Sequence, residues 1–152
     1  IHAGEWASAQ SVYTAVQHLG AQRIGHGIRS IEDSSVVQLL YDRKVALEVC
    51  PTSNLQTGAV HGMGQHPLLD LYNLRLRVTL NTDDPSISDT TLTDEYVVSL
   101  AALGIEERQI YHMLRHSAEA AFIPAEERHW LLDTIRQGLA PYPGAVAEFD
   151  AL

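Results

Sequence analysis

The chain has 152 residues, a length that suits one domain with one hydrophobic core. Its 10 Lys and Arg against 19 Asp and Glu give a net charge of −9, which argues against binding of nucleic acid, a polyanion. Apolar residues make up 45% of the chain, a globular composition, and no run reaches the roughly 20 apolar residues of a membrane span. Cys50 is the single cysteine and cannot form an internal disulfide, so we expect a reducing, cytoplasmic setting.

Short β-branched runs alternate with segments of helical periodicity. The residues Ile1 to Glu5 have the pattern of a strand end entering a loop, so we expect the chain to begin inside a fold. Further strands are predicted at 23–27, 45–50 and 78–81, and helices at 7–19, 67–74, 91–103, 106–122 and 125–137. One more helix follows a capping box of Ser30 and Asp33. Residues 52–64 are predicted to be a loop, and a Pro-rich tail follows Gly138, the predicted stop of the last helix.

Four strands separated by helices indicate parallel βαβ units. This alternation fits either an open doubly wound sheet or half of an eight-stranded barrel. In both folds, residues that do chemistry lie at the carboxyl ends of strands. Each predicted strand here ends in polar residues, namely His2, His26, Cys50 to Thr52, and the pair Asp83 and Asp84.

His2 and Glu5 lie three residues apart around Gly4. A neutral imidazole is a common zinc ligand, and a buried glutamate with a raised pKa can serve as a general acid. The same residues also fit an ordinary histidine followed by a glutamate at a helix start. Two glycines flank His26, an arrangement that lets the backbone approach a ligand but also suits a plain turn.

Asp83 and Asp84 are adjacent carboxylates at the end of the last strand, before Pro85. One of them could bind a metal ion while the other accepts a hydrogen bond from a substrate. Asp-Asp-Pro is equally a common turn and cap sequence, so the doublet alone does not decide between the two interpretations.

Other candidates are weaker. His112 and His116 have the i, i+4 spacing of a zinc-protease helix, but Met113 stands where the general-base glutamate would be, so we predict a solvated helix face. Cys50 precedes Pro51 at a strand end, and we predict a small packing residue rather than a nucleophile. No complete dinucleotide loop, phosphate loop or serine-nucleophile elbow is present.

Taken in order, four segments closely resemble the adenosine deaminase family: His-Ala-Gly-Glu, Arg-Ile-Gly-His-Gly, Leu-Glu-Val-Cys-Pro-Thr-Ser-Asn and Asn-Thr-Asp-Asp-Pro. The specific motifs extend from residue 1 to about residue 111. The resemblance implies a (β/α)8 barrel with one zinc ion at its mouth, of which this chain is the C-terminal half, strands five to eight. Residues 1–152 would then be one partial barrel, with the site in about 1–90 and C-terminal helices in 91–152.

The resemblance also implies roles for single residues. His2 and Asp83 correspond to zinc ligands, and Asp84 corresponds to the carboxylate that holds the purine N7. Gly4 corresponds to a substrate-binding position.

The two proton-handling groups follow from the same comparison. Glu5 corresponds to the acid that protonates the purine N1, and His26 to the histidine that orients and deprotonates the zinc-bound water. Zinc lowers the pKa of a bound water toward about 7, which agrees with this chemistry. The implied reaction is hydrolysis of adenosine or 2′-deoxyadenosine to inosine and ammonia. Relatives that deaminate adenine or 6-amino-6-deoxyfutalosine have similar motifs, and Ser86 and Ser88 favour adenosine only slightly.

One departure from the family pattern has consequences. The family's other two zinc ligands form a His-x-His motif on strand one, and that motif is absent from the 152 residues. Because catalytic zinc sites usually have three protein ligands, we predict that the chain alone is inactive and needs the missing N-terminal half or a partner chain. The alternative is a non-catalytic half-barrel module that only associates with another chain.

Strand parity predicts which side chains face the barrel interior. On the last strand, the inward set is Thr79, Asn81 and Asp83, and the set facing the helices is Val78 and Leu80. On the second strand, we expect Ile24 to share the inward face with His26. The first and last strands would have unpaired edges, which predicts aggregation, a swapped dimer or a partner chain.

Overall fold

The chain folds as four parallel strands connected by helices. A computed structural model describes residues 1–142 and 144–151. The strands are β1 (His2–Ala3), β2 (Arg23–His26), β3 (Ala46–Val49) and β4 (Arg77–Leu80), and they lie in one sheet in the order β1-β2-β3-β4. Because spatial order equals chain order, the sheet is half of a (β/α)8 barrel, as predicted, and not the doubly wound alternative, whose strand order reverses.

Nine α-helices lie in the described residues. They are α1 (Ala9–Gln17), α2 (Ser34–Arg43), α3 (Pro51–Gln56), α4 (Leu68–Asn73), α5 (Pro85–Ser88), α6 (Leu92–Ala102), α7 (Glu107–Ala120), α8 (Ala125–Leu139) and α9 (Ala145–Asp150). Two 3₁₀ turns are at Ile28–Glu32 and Met63–Gln65. Within the described ranges, none of the helices combines the length and the apolar character needed to cross a membrane.

The core lies between the outer face of the sheet and the helices. Ile24, Leu47 and Val78 are aligned with one another across three strands and are fully buried. Helix α1 faces this layer with an apolar stripe that includes Val12 and Val16, both buried. Burial of each such side chain contributes about 1.5–3 kcal/mol relative to exposure, so this layer holds the helices against the sheet.

The opposite face of the sheet carries the polar residues. The strand register aligns His2 with Gly25, Gly25 with Glu48, and Glu48 with Thr79, so these residues share one face. The Asn81 side chain donates to Thr79 Oγ1 at 2.8 Å, which places both on this inner side as predicted.

The prediction for Ile24 is wrong. Ile24 is aligned with Leu47 on the outer, apolar face and does not share the inner face with His26. The reason is that His26 has a left-handed backbone with φ of 65°, which breaks the strand alternation at this residue. On β4, Val78 belongs to the core as predicted, whereas Leu80 belongs to the core and also borders the inner groove.

Several helix boundaries differ from the sequence prediction. Asp33, not Ser30, caps α2, because the Asp33 carboxylate accepts from the Ser35 N–H. Residues 52–56, predicted to be loop, belong to α3, which has Pro51 in its first turn. Helix α8 continues through Gly138, and residues 145–150 of the predicted tail form α9.

The prediction that His112 and His116 lie on a solvated face of α7 is also wrong. His112 is buried beside Tyr72, and the His116 Nδ1 lies 3.2 Å from the Val78 carbonyl. This face of α7 packs against the β4 edge of the sheet rather than facing water. The capping box predicted for α6 is present, formed by Thr91 and Asp94.

Candidate metal and catalytic site

The carboxyl ends of the strands bring together three side chains of types that can bind a metal ion. The His2 Nε2 lies 4.0 Å from Asp83 Oδ1, and the His26 Nε2 lies 3.8 Å from Asp83 Oδ2. One ligand atom from each of these residues falls within 4.8 Å of the other two. The two imidazole rings are 5.1 Å apart between centroids. Residues from the beginning, middle and end of the sheet therefore converge on one point.

Unusual backbone conformations aim these side chains. His26 and Asp83 have φ values of 65° and 58°, the left-handed region that residues other than glycine rarely adopt. Both residues stand where a strand bends into its following loop, and the bend turns the side chain toward the shared end of the sheet.

Glu5 reaches the same point from the loop after β1. Its Oε2 lies 3.4 Å from the His26 Nε2, and its Oε1 accepts a hydrogen bond from Thr57 Oγ1 at 3.0 Å. The neighbouring Gly4 has φ of 66°, and an added Cβ there would lie 2.5 Å from a Val12 methyl group. Gly4 is therefore required by backbone conformation and close packing, independently of any contact with substrate.

Asp84 has a local structural role. Its Oδ1 accepts from the N–H groups of Ser86 and Ile87 and caps the four-residue helix α5. The hydrogen bonds in the described residues tie Asp84 to this turn and not to His2, Glu5, His26 or Asp83. The cap leaves Oδ2 of this exposed residue without a role in the turn.

Helix α3 supplies contacts that the sequence interpretation missed. Ser53 Oγ donates to Asp83 Oδ2 at 2.7 Å, and Thr57, directly after α3, donates to Glu5. The fully buried Asn54 contacts both His26 and Glu5. The available signal was Pro51 after a buried strand, which favours a helix start and would place these polar residues on one short helix.

Burial sets the electrostatics of two groups near the site. It lowers the pKa of His26, while the nearby carboxylates of Glu5 and Asp83 act in the opposite direction. Burial, with smaller contributions from Asp83 and Glu95, raises the pKa of the Cys50 thiol to about 12. Cys50 is therefore a protonated packing residue at neutral pH, as predicted, and not a nucleophile.

The donor set is suited to zinc. Imidazole nitrogen and carboxylate oxygen are zinc ligands, and two ligands on one tetrahedral zinc lie about 3.4 Å apart, a little closer than the 4.0 Å between His2 and Asp83. The His2 side chain is 74% exposed, and a small rotation of its ring would close the difference. The chain thus presents two donors of the types that zinc binds, the Asp83 carboxylate, held by Ser53, and the exposed His2 ring.

An open groove of about 580 Å³ runs beside these residues. Its polar wall is the inner face of the sheet with His2, His26 and Asp83. Its apolar wall comes from helices α6 to α8 and includes Leu92, Leu114, Leu131 and Ile135. The groove adjoins β4, which pairs only with β3 in the described part of the chain.

Parallel strands with a cluster of histidine and carboxylate side chains at their carboxyl ends define a class of barrel proteins that can hold a metal ion there. Comparison with known proteins narrows this class, because a family model described as adenosine deaminase matches residues 1–138. The chain belongs to the adenosine deaminase family.

Individual relatives agree with this assignment. An adenosine deaminase of Escherichia coli is 37% identical over 135 residues, which are 89% of this chain and 40% of the relative. The crystal structure of an adenine deaminase from Arthrobacter aurescens superposes with a TM-score of 0.86 at 32% identity, covering 91% of this chain and 42% of that one. A zinc-bound amidohydrolase from Burkholderia ambifaria shares the fold, with a TM-score of 0.80 at 22% identity over 97% of this chain and 40% of its own. The chain therefore spans about 40% of the length of these relatives.

Proposed function

We propose that the chain forms the C-terminal half of a zinc-dependent deaminase that hydrolyses adenosine or 2′-deoxyadenosine to inosine and ammonia. The observation that carries the proposal is the convergence of His2, Glu5, His26 and Asp83 at one end of the sheet. Family membership supports hydrolytic deamination, and the E. coli relative supports adenosine as the substrate. The likeness to an adenine deaminase favours adenine as the second candidate substrate.

His2 and Asp83 would hold the zinc ion, with Ser53 fixing the Asp83 carboxylate. Zinc, when bound, supplies Lewis acidity that activates a water molecule near neutral pH. The His-x-His ligand pair of the family is absent from the chain, so a complete site needs two ligands from the missing N-terminal half or a partner chain.

Glu5, whose Oε2 lies 3.4 Å from the His26 Nε2, would donate a proton to the purine N1 as water adds to C6, after which ammonia leaves. His26 lies beside it and would orient the attacking water. His26 was also expected to accept a proton from that water. It can do so only if its Nε2 carries no hydrogen. Asp84 would hold the purine N7 through the carboxylate oxygen that its helix cap does not use. Gly4 would contact the substrate through its backbone, because the Cβ position that it lacks faces Val12.

The proposal is tested by comparing the isolated chain with a complex that contains an N-terminal portion. We expect the isolated chain to bind zinc below one equivalent and to release no ammonia from adenosine, because two ligands form an incomplete site. Co-expression with the N-terminal portion of the E. coli relative should give a complex with stoichiometric zinc and adenosine turnover. Parallel assays with adenine and 6-amino-6-deoxyfutalosine identify the preferred substrate.

Two variants control the assay. Glu5→Gln in the complex should reduce turnover by about 10²-fold or more, whereas Glu127→Gln, on the exposed side of α8, should have no effect. A folded, zinc-loaded complex that deaminates none of the three substrates would support the non-catalytic module instead. Turnover by the isolated chain would contradict its dependence on a second half.

A cytoplasmic location, expected from the single cysteine, is part of the same proposal.

A further inference from the structure

A buried histidine outside the four segments that carry the resemblance is connected to the site. His66 follows the 3₁₀ turn at Met63–Gln65 and is 7% exposed. Its Nδ1 accepts a hydrogen bond from the Leu68 N–H at 3.1 Å, and its Nε2 lies 3.2 Å from Asn54 Oδ1. Asn54, in turn, lies 3.1 Å from the His26 Nδ1. These contacts form a continuous chain from a backbone amide to the site.

The hydrogen bond between the Leu68 N–H and the His66 Nδ1 can run in only one direction. The Leu68 N–H is one of the free donors at the start of α4, and a backbone amide can only donate. His66 Nδ1 must therefore be bare. Since burial lowers the pKa of His66 to about 4, the neutral ring carries its single hydrogen on Nε2 at neutral pH.

The hydrogen bond from His66 determines the orientation of the Asn54 amide. The His66 Nε2–H donates to the Asn54 amide oxygen, which turns the Asn54 NH₂ group toward His26. Glu5 favours the same orientation independently, because the Asn54 Nδ2 lies 3.4 Å from its carboxylate Oε1. A flipped amide would place an oxygen against that carboxylate and the NH₂ group against the His66 Nε2–H.

We propose that His66 and Asn54 are positioning residues that hold His26 in the tautomer with its hydrogen on Nε2. The Asn54 NH₂ group donates to the His26 Nδ1, so the hydrogen of the neutral ring lies on the opposite nitrogen. That Nε2–H faces Glu5 Oε2 at 3.4 Å and Asp83 Oδ2 at 3.8 Å, both acceptors.

The tautomer changes the chemical role of His26. With the hydrogen on Nε2, the ring donates a hydrogen bond toward the reaction site and has no lone pair there to accept a proton. If the proposed deamination holds, His26 orients the attacking water or stabilises negative charge, and the proton of the water goes to the Asp83 carboxylate, because Glu5 is the proton donor to N1. The tautomer itself is a property of this chain and does not depend on that reaction.

The test is the proton position on each ring. Long-range ¹H–¹⁵N correlation spectra of the metal-free chain at pH 7.5, with chelator present, distinguish hydrogen-bearing from bare ring nitrogens. The His26→Gln and His66→Gln variants assign the two signals. We expect both rings to be neutral with hydrogen on Nε2. A His26 ring with its hydrogen on Nδ1 would overturn the proposal about the tautomer and leave the proposed deaminase function standing.

Substitution tests the connection through His66. In His66→Phe, the donor to Asn54 Oδ1 is lost, and we expect the His26 signal to move toward a mixture of tautomers. His66→Gln can restore an N–H donor and should restore the wild-type signal in part. His61→Phe, the same change at an exposed histidine, is the matched control and should leave the His26 signal unchanged.

Folding of each variant is checked by far-ultraviolet circular dichroism, since His66 is buried. A folded His66→Phe variant with an unchanged His26 signal would show that His66 does not set the tautomer. If that variant does not fold, the wild-type spectra still decide the proton positions, because His66 with its hydrogen on Nδ1 would break the connection at its first link.

Discussion

Left-handed backbone at His26 and Asp83 places two side chains that a regular strand would send elsewhere. Each such conformation costs about 1–2 kcal/mol for a residue with a Cβ. Gly4 has the same backbone conformation, but there the absence of a side chain also relieves packing against Val12. The same left-handed φ therefore has two different reasons. At His26 and Asp83 it aims a side chain at the site, and at Gly4 it accompanies the close approach of two segments.

Gly4 and Gly20 provide a matched pair that separates these two costs. Both have left-handed φ values, 66° and 68°, but an added Cβ meets Val12 at 2.5 Å in the first case and nothing within 4 Å in the second. We expect Gly20→Ala to lower the free energy of unfolding by about 1–2 kcal/mol. Gly4→Ala should cost about 1–3 kcal/mol more, because the core must also accommodate the methyl group. Urea unfolding measures both, and equal losses would contradict the packing role of Gly4.

At the scale of elements, α3 organises the site although it has only six residues. Its polar side chains contact Asp83, Glu5 and His26, so its position decides their geometry. The position is fixed from behind by Glu95 of α6, which is fully buried. The Glu95 carboxylate accepts from the Thr52 N–H and from Thr90 Oγ1, each at 3.2 Å.

Removal of this carboxylate should loosen α3. Glu95→Ala leaves the partly buried Thr52 N–H without an acceptor and the Thr90 hydroxyl with only the Thr91 carbonyl, 3.4 Å away, so we expect the free energy of unfolding to fall by about 1–3 kcal/mol. Glu95→Gln retains one acceptor oxygen and should cost less. Val97→Ala, on the same helix at a 57% exposed position, is the control and should change stability by about 0.5 kcal/mol or less. A Glu95→Ala loss no larger than the Val97→Ala loss would contradict the role of Glu95.

The outcome for α3 shows what the sequence could and could not predict. The strands were predictable because short β-branched runs end in polar residues, and their order followed from the rules for parallel connections. Helix α3 was missed because Thr52, Ser53 and Asn54 have little apolar periodicity, and its stability comes from tertiary contacts such as that of Glu95. His112 and His116 were assigned to solvent because a helix pattern does not show which face the sheet edge covers.

The site, like the fold, was predictable from the sequence only in part. His2, Glu5, His26, Asp83 and Asp84 were predicted to converge at the strand ends. The structure brings the first four together, whereas the Asp84 side chain caps the turn of α5. The left-handed turn at His26, which overturned the parity predicted for Ile24, has no sequence signal beyond the glycines on either side. The contact from His66 joins residues 12 positions apart across a loop, which periodicity cannot detect.

At the scale of the whole molecule, buried neutral histidines make stability depend on pH. Burial lowers the pKa of His66 from 6.5 to about 4, so the unfolded chain binds a proton that the folded chain does not. The stability from this group is fully present above pH 6.5 and is lost as pH falls from 6.5 toward 4, at up to about 1.4 kcal/mol per pH unit. The lowered pKa values of His26 and His116 act in the same direction.

Urea unfolding of wild type and His66→Gln between pH 7.5 and 4.5 measures this dependence. We expect the wild-type free energy of unfolding to fall more steeply over this range than that of His66→Gln, because the variant lacks one proton-binding group in the unfolded state. Parallel curves for the two proteins would show that His66 is not held neutral by burial.

The exposure of His2 has a consequence for assembly. Strand β1 pairs with β2 alone in the described residues, and the His2 ring faces the open side with three-quarters of its surface in contact with solvent. In the proposed enzyme, a cation shared between the two polypeptides would act as a removable cross-link. By thermodynamic reciprocity, association would tighten cation retention by the same factor by which the cation tightens association. Chelation should then dissociate the two halves, and dilution should release the ion.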